Sequence, residues 1–115
     1  MAEPLLWDRS ENVRWQAAIV IGLFIETNPD EVWRVLCEHD HRHNEDACGM
    51  FGCVLLEDLL WEHFEEVWPR VTERVRNKQS AMRRWVYMVG RIPLTAHQWK
   101  RVERLKQSLR RDRSA

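Results

Sequence analysis

The recurrence of one short pattern constrains this chain more than any composition figure. Trp33 leads into Arg34-Val35, Trp68 into Pro69-Arg70-Val71, and Trp99 into Lys100-Arg101-Val102. The first two copies extend backwards, with Glu31-Val32 before Trp33 and Glu66-Val67 before Trp68. Setting Glu11-Asn12-Val13 on Glu45-Asp46-Ala47, an offset of 34, also sets residues 17–21 (AAIVI) on 51–55 (FGCVL). A period of 31 to 35 residues with two helices per period predicts an α-solenoid. Each hairpin carries an apolar face that it cannot bury alone, so stacking is what makes one core. The expectation is an all-α fold of three stacked helical hairpins in a single domain, with units at 10–40, 44–77 and 80–111. Trp33, Trp68 and Trp99 then hold the same place in three second helices.

The central unit, 44–71, reads NEDACGMFGCVLLEDLLWEHFEEVWPRV and carries the longest apolar helical pattern. Asn44 is placed to cap a helix running to about residue 62, with Glu45 and Asp46 where the helix dipole favours acids. Ala47, Gly49, Gly52 and Cys53 give that helix a surface of small residues, suited to close approach of a neighbour. A further helix is expected over about 64–76, with a turn or kink at Pro69, whose ring removes a backbone bond. In the first unit, Ser10 caps a helix over about 11–26, apolar nearly all round from 17 to 25 and so expected to be mostly buried. Asn28-Pro29 opens the second helix, which runs to about 39. In the third unit a helix over about 81–89 stops at Gly90, and Thr95 caps the last helix, to about 111.

Composition closes off several classes. No apolar run reaches eighteen residues, so no membrane span is expected. The opening residues lack the basic-then-apolar order of a secretion signal, and the three cysteines are an odd number, so free thiols in the cytoplasm are the expectation. Net charge is zero but polarised: residues 26–66 hold twelve acids against Arg34 and Arg42, and 70–113 hold fourteen basic residues against Glu73, Glu103 and Asp112. Such a field steers charged partners or favours head-to-tail self-association.

Several segments resemble a known family. Asn44-Glu45-Asp46 opening a helix, then Leu56-Glu57-Asp58-Leu59-Leu60, Glu62-His63-Phe64 and Trp68-Pro69-Arg70-Val71, look like small bacterial HEAT-like (armadillo-type) repeat proteins. Ser10-Glu11-Asn12-Val13-Arg14-Trp15-Gln16-Ala17-Ala18 is similar to a HEAT first helix. The resemblance covers roughly residues 8–90. It departs at Cys48, which stands where the first unit has Arg14, and at Asp58. It implies a right-handed solenoid and a binding scaffold, mostly for proteins and in a minority for nucleic acid.

Candidate chemistry is sparse. Cys37, His39, His41 and His43 lie in one loop with thiolate and imidazole groups that suit zinc. Their i, i+2 spacing does not match a closed structural site, and no metal or other cofactor is expected. Glu57, Asp58 and Glu62 near His63 could be imagined as an acid/base set, yet adjacent helical residues point about 100° apart. Cys48 sits at a core-like position, which disfavours a nucleophile. The expectation is therefore no enzyme but a protein-binding module, an immunity or regulatory partner that docks through the second helices or through Glu57, Asp58, Glu62, Glu65 and Glu66. The alternative is nucleic acid or another acidic partner, held by Arg83, Arg84, Lys100, Arg101, Arg104 and Arg110, joined by Arg91, Lys106, Arg111 and Arg113.

Overall fold

Gly49 and Gly52 show how the centre of the fold is built. In the computed structural model, which describes residues 3–90 and 92–114, both lie in a nine-residue π-helical segment, Cys48–Leu56. A β-carbon on Gly49 would sit 2.8 Å from Cη2 of Trp15, and one on Gly52 would sit 2.7 Å from Cβ of Met88 and 2.8 Å from the Trp85 carbonyl oxygen. The small residues are the condition for neighbours packing tightly on both sides. Seven of the nine residues are buried, Met50, Phe51, Leu55 and Leu56 completely.

The described residues form helices and no strand. A 3₁₀ turn, Glu3–Trp7, precedes α1, Glu11–Gly22, and α2, Pro29–Glu38. Then α3, Glu45–Ala47, continues through the π segment into α4, Glu57–Arg74. After α5, Met82–Trp85, and a 3₁₀ turn, Val86–Met88, the chain ends in α6, Ala96–Ser114. The π segment packs against α1 on one side and α5 with its 3₁₀ turn on another, while α2 packs against α4.

Caps appear where the side chains predict them. Ser10 accepts from the Val13 amide and Asn44 from the Ala47 amide at 2.8 Å. Thr95 and Gln98 satisfy each other's amides, both at 3.1 Å, in a reciprocal capping box. Asn28 precedes α2 with Pro29 in its first turn, but its side chain makes no capping bond.

Four expectations are corrected. Pro69 neither kinks nor ends its helix: the non-helical residue within 57–74 is His63 (φ −139°, ψ 44°), at the expected junction of two helices, with Nε2 2.9 Å from the Ile25 carbonyl. Pro69 and Glu65 are exposed, so the bond the proline ring deletes is lost on the solvent side, where water substitutes. α1 stops at Gly22, and successive i to i−3 bonds from Leu23, Phe24 and Ile25 turn the chain. It is also not mostly buried: Ala17, Ala18 and Ile21 face the core, while Ile19, Val20, Leu23 and Phe24 do not. Gly90 does not stop a helix, since its φ is not positive and the preceding 3₁₀ turn already ends at Met88.

One row of rings ties the amino-terminal turn to the core. Trp7, His39, Phe51 and Trp85 follow one another with centroids 5.1, 5.2 and 4.9 Å apart. His39 is buried, and its Nδ1 has no hydrogen-bond partner among the described residues. Burial, then the Arg42 charge, holds its pKa below the usual histidine range. The stability that neutral His39 contributes is therefore present above the unfolded pKa of about 6.5 and is lost as pH falls through the lower folded value. Urea midpoints should fall from about pH 7 to about pH 5, and fall less in His39→Leu. Equal slopes would contradict this reading of the ring row.

Candidate partner surface

The first candidate surface is the outward side of α1 and the turn after it. Ile19, Val20, Leu23 and Phe24 follow i, i+1, i+4, i+5 spacing and so share one face. All four are exposed, Leu23 by 73%. On one flank lies a hollow of about 330 Å3 between α1 and α2, lined by Val20, Phe24, Val32 and Val35 with Glu3 and Glu31 at its edge. On the other lies a hollow of about 200 Å3 lined by Leu23 and Ile25, with Glu26, Asp58, Glu62 and the half-exposed Trp61 around it.

The acids at the two hollows differ in whether a cation matches them. Neither is lined by a lysine or arginine. Glu3 and Glu31 are neutralised by Arg34, at 3.0 and 2.5 Å. Glu26, Asp58 and Glu62 have no ion pair among the described residues. The Asp58 carboxyl is pushed above the usual aspartate range, by burial first and then by Glu57 and Glu62. An acid with a raised folded pKa favours the fold while protonated and loses that contribution as pH rises through the folded value. Asp58→Asn is thus expected to raise the urea midpoint at about pH 7, with the difference shrinking toward about pH 4. A lower midpoint at neutral pH would show that the charge supports the fold.

The five acids expected to form one surface separate. Glu57 is buried and accepts from the Gly90 amide at 3.1 Å, so it braces the turn after α5 and is not a surface group. Glu65 receives Arg101 on both oxygens, at 3.0 and 2.9 Å, and this hydrogen-bonded guanidinium holds its pKa down. Glu66 is exposed. Only Asp58 and Glu62 stand at the α1 hollow.

The basic set separates as well. Arg83 bonds the Val75 carbonyl and pairs with Asp112 at 2.9 Å, and Lys106 is buried with Nζ on the Val89 carbonyl at 2.6 Å. Arg101 lies over Phe64, Arg110 over Tyr87, and Arg84 donates to the His43 carbonyl. Lys100, Arg104 and Arg111 are left exposed on α6. Arg91, and the side chain of Arg113, lie outside the described residues.

The loop of Cys37, His39, His41 and His43 is not gathered into a site. His39 is buried in the ring row, His41 stacks on Trp7 with centroids 6.3 Å apart, and His43 is exposed. Among the described residues no three His, Cys, Asp or Glu side chains are grouped to hold a metal ion. Burial raises the Cys37 and Cys48 thiols, which disfavours thiolate. No helix among the described residues is long and apolar enough to cross a membrane. Compared with family models, curated proteins and solved structures, the chain matches none.

Two features escape sequence reading. One is the apolar face of α1, although its signal was present: a helix apolar all round whose neighbours, the Glu3–Trp7 turn and the π segment, cover only part of it leaves a side exposed. The other is Asp40, which reads as a loop residue but is buried, and accepts from Arg74, Ser80 and Met82.

Proposed function

We propose that this chain is a non-enzymatic protein-binding module, a HEAT-like stack of three short hairpins that engages its partner through the outward face of α1. The observation that carries this reading is the exposure of Ile19, Val20, Leu23 and Phe24 side by side. Contiguous apolar surface on a folded chain marks an interaction site far more often than scattered exposed side chains do. In a stack of hairpins the terminal unit needs a polar outer face to remain soluble. α1 has an apolar one instead, which supports a covered rather than a solvated end. The face is rimmed by acids, so the acidic middle of the sequence contributes through Asp58 and Glu62.

The test is comparative capture from the source cell. Wild-type chain and a Leu23→Ser/Phe24→Ser variant are immobilised at equal density, with circular dichroism confirming equal helix content. A protein retained at stoichiometric level by the wild type and lost from the variant supports the reading. A partner retained equally by both places binding elsewhere, with the α6 cations Lys100, Arg104 and Arg111 as the next surface to vary.

A further inference from the structure

We infer that the segment recognised by the α1 face is an amphipathic basic helix of a partner protein, a deeper statement of the docking role proposed above and dependent on it. Two hollows flank the Leu23–Phe24 ridge: the one between α1 and α2 is apolar, with Glu3 and Glu31 matched by Arg34, and the one beside Trp61 is as polar as it is apolar and carries Glu26, Asp58 and Glu62. Three of the edge carboxylates, Glu26, Asp58 and Glu62, have no cation paired with them among the described residues. A ligand complementary to this surface brings apolar anchors for the hollows and lysine or arginine for the rim.

Other occupants fit less well. A second copy joined through the same face brings only that same surface, whose nearby cation, Arg34, is already paired with Glu3, Glu31 and Glu38, so it offers Glu26, Asp58 and Glu62 no free partner. A second copy offering α6 brings cations, but Lys100, Glu103, Arg104, Gln107 and Ser108 on its exposed side include no apolar residue to enter a hollow. An anionic lipid surface is repelled by the rim. An extended peptide finds no strand edge among the described residues and so gains no ladder of backbone bonds. A helix with anchors at i, i+3, i+4 and i+7 carries its apolar groups on one side and its charges on the flanks, which matches a ridge with an apolar hollow on one flank and, on the other, acids without an ion pair among the described residues.

The probe is a labelled Leu/Lys peptide of roughly four helical turns with its leucines on one face. Its counterparts are the same pattern with Glu for Lys, and a scrambled Leu/Lys peptide of equal composition. Fluorescence anisotropy with the full chain reads affinity at low and moderate salt, and sedimentation velocity reads the state of the chain alone. The expected result is that the amphipathic Leu/Lys peptide binds about tenfold more tightly than either counterpart. Leu23→Ser/Phe24→Ser abolishes that binding, and Asp58→Asn/Glu62→Gln weakens it about tenfold while leaving the fold intact.

Equal binding of the Leu/Glu peptide, still lost in Leu23→Ser/Phe24→Ser, overturns the basic partner and leaves the docking face standing. Binding indifferent to Leu23→Ser/Phe24→Ser, or equal for the scrambled peptide, overturns the basic helix as occupant. No binding by any peptide does the same, and the capture experiment then decides the docking role separately. A dimer of the free chain that Leu23→Ser/Phe24→Ser dissolves would make a second copy the occupant and overturn the inference.

Discussion

Replacing Asp40 with alanine should lower the unfolding free energy by about 2–4 kcal/mol, from the buried hydrogen bonds it leaves unmade. The Asp40 side chain is only 6% exposed. It accepts from Arg74 Nε at 2.5 Å, Ser80 Oγ at 2.8 and 2.6 Å, and the Met82 amide at 2.7 Å, while its carbonyl accepts from the Ala81 amide at 3.0 Å. One residue thereby fastens the end of α2, the end of α4 and the start of α5. Alanine leaves the buried Ser80 hydroxyl without its acceptor, a loss of about 1–3 kcal/mol, and takes from the Met82 amide the shorter of its two bonds, the other going to Ser80 Oγ, while Arg74 keeps the Cys37 carbonyl and contact with water. Small domains hold only about 5–15 kcal/mol in total, so the variant would sit near the limit of folding. Urea unfolding followed by tryptophan emission and far-UV dichroism measures the change. Ser80→Ala removes one bond and should cost about 1 kcal/mol. A loss below about 1 kcal/mol for Asp40→Ala would mean that the cluster is not a fastening point.

The second large effect is expected at Gly52. Alanine there improves intrinsic helix propensity by about 1 kcal/mol. Against this, its methyl would lie 2.8 Å from the Trp85 carbonyl oxygen and 2.7 Å from Met88 Cβ, atoms at or beside the backbone that cannot swing aside. Overpacking of this kind costs about 1–3 kcal/mol, and contact with backbone places it at the upper end, so net destabilisation of roughly 2 kcal/mol is expected. Gly90→Ala is the internal control. A β-carbon at Gly90 meets nothing within 4 Å and its φ is not positive, so the variant should be neutral or gain up to about 1 kcal/mol through the unfolded chain. The two glycines behaving alike in thermal and urea unfolding would contradict the close packing of the π segment on α5 and its 3₁₀ turn.

The helical class, the caps at Ser10, Asn44 and Thr95 and the break between the halves of the central helix were legible because each depends on local chemistry. A hydroxyl or amide side chain can satisfy an orphan amide only at a helix start, and apolar spacing shows where a helix must change direction. The π register of 48–56 was not legible, since α and π helices present similar apolar runs and only the neighbours select between them. Pro69 misled because a proline's effect depends on whether its lost bond falls in the core or in water. The fates of Glu57 and Arg83 were beyond the sequence for a related reason. A charged residue looks solvated until a backbone group from a distant segment, here the Gly90 amide and the Val75 carbonyl, turns toward it.

Four polar ties join residues far apart in the chain. Arg14 to Asp46, Glu65 to Arg101, Asp40 to Ser80 and Arg70 to Asp30 join positions 32, 36, 40 and 40 apart. Arg14 and Asp46 tie α1 directly to α3, so a change at α1 reaches that segment through one bond. Occupation of the α1 face would steady the segment around Asp46 before it steadied α6. Amide exchange in α1 and around Asp46 should then slow by a larger factor than exchange near Lys106.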